Sequence, residues 1–396
     1  MARRDPPPPP HPDEAAVAHS QALKKRIDAA IAMAGGGLDF ADYMALALYA
    51  PGLGYYSAGQ QRFGPGGDFT TAPLMSDLLA RTLAGEVAAV LAAVGGDTLV
   101  EFGAGTGQLA VDLLDELANQ QALPAHYWII EVSADLRATQ AQTLAALPAD
   151  IQARVQWLDR LPAKPIRGVV IANEVLDAMP VQRFRRTQSA VECLGVGHDA
   201  QDELVWRAQP ADEALRTAVA SIEQDLGERL PSGYVSEWCP SLAPWVHALG
   251  TLIEAGVALL IDYGYPRHEY YHRQRATGTL LCHYCHRAHE DPFFWPGLQD
   301  ITASVDFTAV ARAGQDAGLD CLGFATQGNF LAGAGLPALL ERLAAGDPNR
   351  AAELAQLAKP LLFPDEMGER FKVLGLGRGV PVPLKGFSFA DHRERL

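Results

Sequence analysis

A glycine-rich loop between a predicted strand and a predicted helix constrains the fold of this chain more than any other feature. The predicted strand is the apolar run Thr98–Phe102. Its last two residues and the five loop residues that follow read EFGAGTG (101–107). The residues after the loop have apolar positions at helical spacing, namely Leu109, Leu113, Leu114 and Leu117. Glycines let the backbone turn tightly and approach a ligand without side-chain collision. This order of elements indicates the ligand-binding edge of an α/β sheet.

Strands and helices alternate along much of the remaining chain. Further strands are predicted at 127–132, 155–158, 168–172, 257–262, 319–324 and 371–376, and further helices at 134–147 and 307–317. This alternation predicts a parallel sheet with helices on both faces, which is the α/β class. Residues 181–250 interrupt the alternation with a β-rich piece and one helix, so we predict an inserted α+β subdomain there.

The chain has 396 residues, which corresponds to about two to three domains. The predicted segments are a tail and N-terminal helix (1–35), an N-terminal helical or lid segment (36–95), the first part of the core (96–180), the insertion (181–250) and the second part of the core (251–396) with a loop at 266–300.

The charge balance excludes some classes of protein. The chain has 32 basic and 47 acidic residues, and its formal net charge is −15. Nucleic-acid binders normally need a basic face, so we expect no nucleic-acid partner. The same charge argues against membrane-surface binding, and there is no run of about 18 apolar residues to span a bilayer. The beginning of the chain lacks the apolar core of a secretory signal, and five cysteines do not indicate a disulfide framework. We therefore expect a location in the reducing cytoplasm.

The spacing of the loop glycines discriminates between ligands. A dinucleotide fingerprint reads G-x-G-x-x-G, whereas here Gln108 stands where that pattern requires its third glycine. A P-loop is excluded because no Lys followed by Ser or Thr comes after the glycines. Glu101 would repel a phosphate but suits a cationic ligand such as S-adenosylmethionine, which carries an ammonium and a sulfonium. A plain tight turn and a nicotinamide site remain open as alternatives.

Residues at the ends of three predicted strands are expected to hold this methyl donor. The acid that ends the first strand would lie near the amino-acid part of the donor, and the glycines would pass beneath it. The acid after the second strand would accept hydrogen bonds from the ribose hydroxyls. The acid after the third strand would accept one from the adenine amine. The predicted residues are Glu101, Gly103, Gly105, Gly107, Glu131 and Asp159.

Several longer motifs carry a family resemblance. They are YAPGLGYYS (49–57), FGPGGDFTTAP (63–73), EFGAGTG (101–107), ANEVLDAMPV (172–181), IDYGYP (261–266) and GLQDITASVDF (297–307). With these motifs the chain resembles the MidA-like class I methyltransferases from about residue 38 to residue 377. This family includes a mitochondrial complex I assembly factor that methylates a protein arginine. The resemblance implies a Rossmann-like class I methyltransferase sheet, S-adenosylmethionine as donor, and an arginine of a protein partner, of the complex I subunit type, as acceptor.

The acceptor side is expected directly after the strand at 168–172, where Asn173, Glu174 and Asp177 follow. A guanidinium is always charged, and carboxylates bind its planar donors bidentately. Such pairing would aim one nitrogen at the methyl group and balance the charge of both substrates. Glu174 is the first catalytic candidate, with Asp177 and Asn173 beside it. A helix cap for Asp177 and a solvated or structural role for Glu174 remain open.

The loop at 64–73 precedes the core and contains Asp68 and Thr71. It is predicted to fold over the donor as a lid and shield the transfer from water, with Asp68 and Thr71 contacting the donor. The alternative, in which this loop has only a structural role, remains equally open.

A histidine- and cysteine-rich segment reads Cys282-His-Tyr-Cys285-His286-Arg-Ala-His289. It contains a C-x-x-C-H pattern, but haem attachment of that kind requires export. A zinc site there would have tighter spacing than the usual paired knuckles. We therefore expect that this segment binds no metal. We expect it to form a loop that shapes the entrance of the site or binds the partner protein.

The leading hypothesis is an S-adenosylmethionine-dependent methyltransferase that acts on a protein arginine. It needs no metal, because the sulfonium is already an activated leaving group. Two alternatives from other classes are a non-catalytic assembly or docking factor on a methyltransferase fold and a nicotinamide-dependent oxidoreductase, against which Gln108 argues. The oligomeric state is left open.

Overall fold

The computed structural model describes residues 10–58 and 72–396. The helices of these residues are α1 (Glu14–Met33), α2 (Phe40–Tyr49), α3 (Ala72–Met75), α4 (Leu78–Val94), α5 (Gln108–Asn119), α6 (Ala134–Leu144), α7 (Ala149–Gln152), α8 (Glu213–Leu226), α9 (Leu242–Leu252), α10 (Arg267–Tyr270), α11 (Phe307–Asp316), α12 (Gln327–Gly333), α13 (Leu336–Ala344), α14 (Pro348–Leu362) and α15 (Met367–Arg370). Their strands are β1 (Thr98–Phe102), β2 (His126–Ile130), β3 (Val155–Leu158), β4 (Ile166–Asn173), β5 (Gln182–Arg186), β6 (Val191–His198), β7 (Leu204–Pro210), β8 (Val235–Trp238), β9 (Ile253–Tyr265), β10 (Leu281–Tyr284), β11 (Arg287–His289), β12 (Asp300–Thr302), β13 (Val305–Asp306), β14 (Asp320–Thr326) and β15 (Phe371–Arg378).

The largest sheet has the strand order β14-β15-β9-β4-β1-β2-β3, with β13 paired to β9 outside this path. Neighbouring strands from β9 to β3 are parallel, whereas β15 is antiparallel to both of its neighbours. The predicted α/β fold is therefore confirmed, and so is the parallel pairing from β9 to β3, whereas the strands near 319–324 and 371–376 pair antiparallel instead. The chain builds β2 and β3 on one side of β1 and then returns to β4 on its other side. Ligands of such sheets bind at this switch point, outside the carboxyl ends of the strands.

The central strands are apolar because helices cover them on both faces. All five residues of β1 are buried, and so is most of β4 and β9. Buried leucines such as Leu83 of α4 and Leu113 of α5 belong to the same core as Leu99 of β1 and Val169 of β4. This packing holds the carboxyl ends of the strands in place.

Contacts divide the chain into two compact units. The sheet unit comprises the described part of 71–179 together with Pro240–Arg275 and Ser304–Leu396. The other unit comprises the described part of 1–70 together with Pro180–Cys239 and Ala276–Ala303. It contains an antiparallel sheet of order β7-β6-β5-β8, a second of order β11-β10-β12, and α1, α2 and α8.

These units differ from the predicted segment boundaries at three places. α4 lies in the sheet unit, although the sequence analysis grouped it with residues 36–95. α9 also lies there, although the Pro- and Trp-rich sequence around it was assigned to the insertion. α9 buries Val246 and Leu249 and contacts α11 and β9, which both belong to the sheet unit. The loop at 276–303 lies instead with the inserted strands.

Candidate active site

The glycine loop links β1 to α5, and each of its three glycines has a left-handed backbone. The φ angles of Gly103, Gly105 and Gly107 are +61°, +52° and +85°. A Cβ on Gly103 would lie 3.0 Å from Cγ2 of Val175, and one on Gly107 would lie 3.2 Å from the Cα of Gln140. The loop therefore needs glycine for its backbone angles and, at these two positions, for close packing.

Glu101 lies near the carboxyl end of β1 with only 2 % of its surface exposed. The hydroxyl of Tyr127 donates a hydrogen bond of 2.7 Å to its carboxylate. Burial nevertheless raises the pKa of Glu101 to about 7, because the charged form has lost most of its solvation. A buried carboxylate with one hydroxyl partner is stabilised by a cation that binds beside it.

Glu131 comes directly after β2, and its carboxylate accepts two hydrogen bonds. The backbone N–H of Ser133 donates to Oε1 at 2.8 Å, and Nε2 of Gln140 donates to Oε2 at 3.2 Å. Burial raises the pKa of Glu131, while these hydrogen bonds and the charge of Arg137 act in the opposite direction. The carboxylate is thereby held in a fixed orientation.

Val132 is a residue that the sequence analysis missed. This apolar side chain follows Glu131 and is 76 % exposed. An exposed valine beside a buried carboxylate offers an apolar surface to a flat ring. The signal was present in the sequence as an apolar residue one position after the acid that ends the second strand.

Asp159 follows β3, the strand that neighbours β2. Its side chain is 75 % exposed and lies 3.8 Å from Nε of Arg160. The structure thus places Asp159 at the same edge of the sheet as Glu131, and its adenine contact stays a prediction. The other two predicted donor residues, Asp68 and Thr71, lie outside the described residues, as does most of the predicted lid loop.

A turn after β4 carries the predicted acceptor residues, and Asp262 at the end of the neighbouring β9 holds it. Oδ2 of Asp262 accepts hydrogen bonds from the backbone N–H groups of Val175, Leu176 and Asp177 at 3.1, 2.9 and 3.3 Å. Glu174 starts this turn with a φ of +55°, an uncommon conformation for a residue with a side chain. We name residues 173–177 the acidic turn.

Asp262 was not among the predicted site residues. It is fully buried, and its pKa is raised well above the ordinary range by burial and by the charges of Asp177 and Glu174. The sequence signal for it was an acid after the apolar run of β9, which is the same pattern that pointed to Glu101.

The acidic turn also contains buried oxygens with unused hydrogen-bonding capacity. Oδ1 of Asp177 and Oδ1 of Asn173 accept no hydrogen bond from the described residues. Burial raises the pKa of Asp177 to about 6, although a side-chain hydrogen bond with Tyr263 counteracts this. Residues 176–179 form a turn and no helix begins there, so the interpretation of Asp177 as a helix cap is wrong.

The glycine loop and the acidic turn adjoin each other within the sheet unit. β1 and β4 are parallel neighbours in which Phe102 pairs with Ala172. The side chain of Val175 approaches Gly103 closely, as described above. A ligand at the loop would therefore lie beside the acidic turn.

The histidine- and cysteine-rich segment lies in the other unit. Cys282 is buried in β10, while Cys285 is exposed in the turn that leads to β11. Across residues 10–58 and 72–396, no group of three or more His, Cys, Asp or Glu side chains is placed to hold a metal ion.

A parallel sheet whose switch point carries a glycine loop, a preceding buried acid and an acid after the next strand defines an α/β enzyme with a nucleoside-containing cofactor. Residues 78–325 match the model of a family described as S-adenosyl-L-methionine-dependent methyltransferases, and the chain belongs to that family. It is a methyltransferase, and its cofactor is S-adenosylmethionine.

The chain is similar to several named or solved proteins. It is 31 % identical over 373 residues to the mouse mitochondrial protein arginine methyltransferase NDUFAF7, covering 86 % of this chain and 81 % of that one. Its identity to the zebrafish protein of the same name is 29 % over 367 residues, covering 86 % and 83 %. A Burkholderia thailandensis protein crystallised with S-adenosyl-homocysteine is 43 % identical and has a TM-score of 0.92, covering 98 % of this chain and 100 % of that one.

These relatives overturn the expected cytoplasmic location, because the curated relatives are named as mitochondrial proteins. The expectation was wrong because free thiols indicate only a reducing environment and do not distinguish one such compartment from another. Within the described residues, every helix is too short or too polar to cross a bilayer.

The residues at the carboxyl ends of β1 and β2 fit the cofactor. Three glycines without Cβ atoms form the cradle, Glu131 presents an oriented carboxylate for hydroxyl groups, and Val132 presents an apolar face. Glu101 adds a buried charge opposite in sign to that of the cofactor.

Replacing Gly107 by alanine is expected to weaken donor binding at least about tenfold and to lower the free energy of unfolding by about 1–2 kcal/mol. The new Cβ would meet the backbone of α6 in a left-handed conformation. Calorimetric titration with S-adenosylmethionine and urea unfolding measure the two effects. Gly95→Ala is the control, since Gly95 has a φ of +59° and no atom within 4 Å of an added Cβ. It should lose stability but keep donor affinity, and equal affinities for both variants would contradict the role of Gly107.

Proposed function

We propose that this methyltransferase transfers the methyl group to a guanidinium nitrogen of an arginine in a protein partner. The observation that carries the proposal is the pair of buried acceptor oxygens in the acidic turn, Oδ1 of Asn173 and Oδ1 of Asp177. A guanidinium has five N–H donors and no acceptor, so it complements a site made of acceptors and carboxylates.

In the proposed reaction, the bound donor supplies a methyl group on an activated sulfonium. Glu174 pairs with the guanidinium and aims one nitrogen at that carbon, which is catalysis by positioning. The N–C bond forms as the C–S bond breaks, and the nitrogen then loses one proton. Asp177 takes this proton, and its pKa supports this role, because burial raises the pKa to about 6, near the working pH of a general base.

Asp262 acts on the reaction through the backbone. Its three hydrogen bonds hold the acidic turn in the conformation that presents Glu174. The names of the curated relatives as protein arginine methyltransferases support the same acceptor class. The family resemblance further favours a subunit of respiratory complex I as the partner protein.

The test is methyl transfer from isotopically labelled S-adenosylmethionine to protein extract from cells that lack this protein, with the modified residues mapped by mass spectrometry. We expect label on the terminal nitrogens of an arginine, in a protein that is also methylated in cells only when this chain is present. Label on lysine, on carboxyl groups or on small molecules would refute the arginine acceptor. The same extract treated with Glu174→Gln protein provides the background.

A further inference from the structure

A buried glutamine on α6 bridges two parts of the donor site. Gln140 is fully buried, and its Nε2 lies 3.0 Å from the carbonyl oxygen of Gly105 and 3.2 Å from Oε2 of Glu131. Its Oε1 accepts a hydrogen bond of 2.8 Å from the indole Nε1 of Trp157 in β3. One side chain thus contacts the segments that follow β1 and β2 and, in addition, β3.

These contacts determine the orientation of the amide. Gly105 and Glu131 offer only acceptors and require the nitrogen end, whereas the indole is only a donor and requires the oxygen end. A flipped amide would lose all three hydrogen bonds. The indole of Trp157 binds Oε1 of Gln140, and this leaves the amide nitrogen pointing toward Gly105 and Glu131.

We propose that Gln140 is a positioning residue of the donor site. Its amide nitrogen bonds both Gly105 and Glu131 and so fixes the distance between the glycine loop and the Glu131 carboxylate. The inference depends on the placement of the donor at the glycine loop and Glu131 and not on the nature of the acceptor. Among the described residues the hydrogen bonds of Gln140 go to Gly105, Glu131 and Trp157 and to no residue of the acidic turn. Its loss should therefore raise the Kd and KM for the donor and leave kcat at saturating donor within about twofold.

The contact with Glu131 also has an electrostatic consequence. An amide N–H stabilises the ionised carboxylate, which is the form that accepts hydrogen bonds from ribose hydroxyls. A glutamate at position 140 would place a second carboxyl group beside Glu131, and the two would share one proton near neutral pH. In its protonated form this glutamate regains a donor and resembles the native amide.

The test compares donor affinity of Gln140→Glu and wild type at pH 8 and pH 6, measured by calorimetric titration with S-adenosyl-homocysteine. We expect the ratio of variant Kd to wild-type Kd to be at least about tenfold at pH 8 and to fall to about threefold or less at pH 6. The ratio removes contributions from other ionisable groups at the neighbouring strand ends, which are Glu101, Arg137, Asp159 and Arg160.

Three further variants complete the test. Gln142→Glu, an exposed site on the same helix, should match wild type at both pH values. Trp157→Phe keeps an aromatic side chain but removes the indole N–H donor, so it should raise the Kd at both pH values and keep kcat, and this variant can be measured even if Gln140→Glu does not fold. Glu131→Gln tests the donor placement itself and should bind donor weakly. Three results would overturn the positioning role of Gln140. They are a Kd of Gln140→Glu equal to that of wild type at pH 8, a loss of donor affinity in this variant that is the same at pH 8 and pH 6, and a fall in kcat as large as the loss of donor affinity.

Discussion

Glu174→Gln should reduce methyl transfer to arginine by about 10³-fold while donor affinity stays within about twofold of wild type. The substitution keeps the shape of the side chain and removes its charge, so the guanidinium loses its bidentate ionic partner at the reacting centre. A loss of this size is typical when a preorganised charged group is removed from a catalytic site. We expect donor affinity to be unaffected because the residues proposed to hold the donor lie at the ends of β1, β2 and β3.

Turnover with the arginine-bearing substrate and calorimetric titration with S-adenosylmethionine measure the two quantities separately. Glu254→Gln is the matched control, since Glu254 lies near the start of β9, at the opposite edge of the same sheet, in an exposed ion pair with Arg167. It should turn over at the wild-type rate. Wild-type turnover by Glu174→Gln would remove Glu174 from the reaction, and a parallel loss of donor binding would show that it acts on the donor instead.

The second large effect is expected for Glu101→Gln, which should weaken S-adenosylmethionine binding at least about 100-fold and stabilise the free protein at pH 8. The donor loses a buried anionic partner for its positive charges. The free protein loses a buried charge whose one side-chain hydrogen bond, among the residues that the structure describes, comes from the hydroxyl of Tyr127. Removing such an uncompensated charge is favourable.

The sign of the pH dependence follows from the raised pKa of Glu101. The folded protein binds the proton more tightly than the unfolded chain, because burial raises the pKa from 4.5 to about 7. The stabilisation from this proton is complete below pH 4.5 and is lost as the pH rises to about 7. At pH 8 the ionised group costs about 3 kcal/mol relative to pH 4. Urea unfolding should therefore find Glu101→Gln more stable than wild type by about 1–3 kcal/mol at pH 8 and similar to it at pH 4.

Glu86→Gln provides the comparison for this result. Glu86 is another buried glutamate of the sheet unit with a raised pKa, and its carboxylate accepts a hydrogen bond from the backbone N–H of Lys385. Its substitution should leave donor affinity unchanged. If Glu101→Gln binds the donor as tightly as wild type, the proposed role of Glu101 is refuted whatever the stability result.

The parts of the fold that depend on local sequence could be predicted well. β1 and β3 begin and end at the predicted residues, since short apolar runs bounded by loops define such strands. The positions of Glu101 and Glu131 at strand ends follow from the same runs. The glycine loop was evident because three closely spaced glycines leave few other conformations.

The missed features depend on contacts between distant segments. The bonds from Asp262 to the acidic turn require β4 and β9 to pair, and no local pattern around Asp262 shows this. The contacts of Gln140 likewise depend on how α6 packs against two strand ends. Contacts within the chain group the whole of α9 with the sheet unit, and this grouping depends on packing against distant segments that the Pro- and Trp-rich local sequence does not reveal.

The hydrogen bond from the backbone N–H of Leu176 to Asp262 spans 86 positions of the chain, with the inserted segment Pro180–Cys239 between its ends. During synthesis, β1 to β4 and the groups that hold the donor are all made before Asp262 emerges. The acidic turn can close only after a long loop has formed, which makes it one of the late events of folding. A nascent chain that has not yet reached β9 therefore contains the glycine loop and Glu131 but lacks the Asp262 carboxylate that holds the acidic turn.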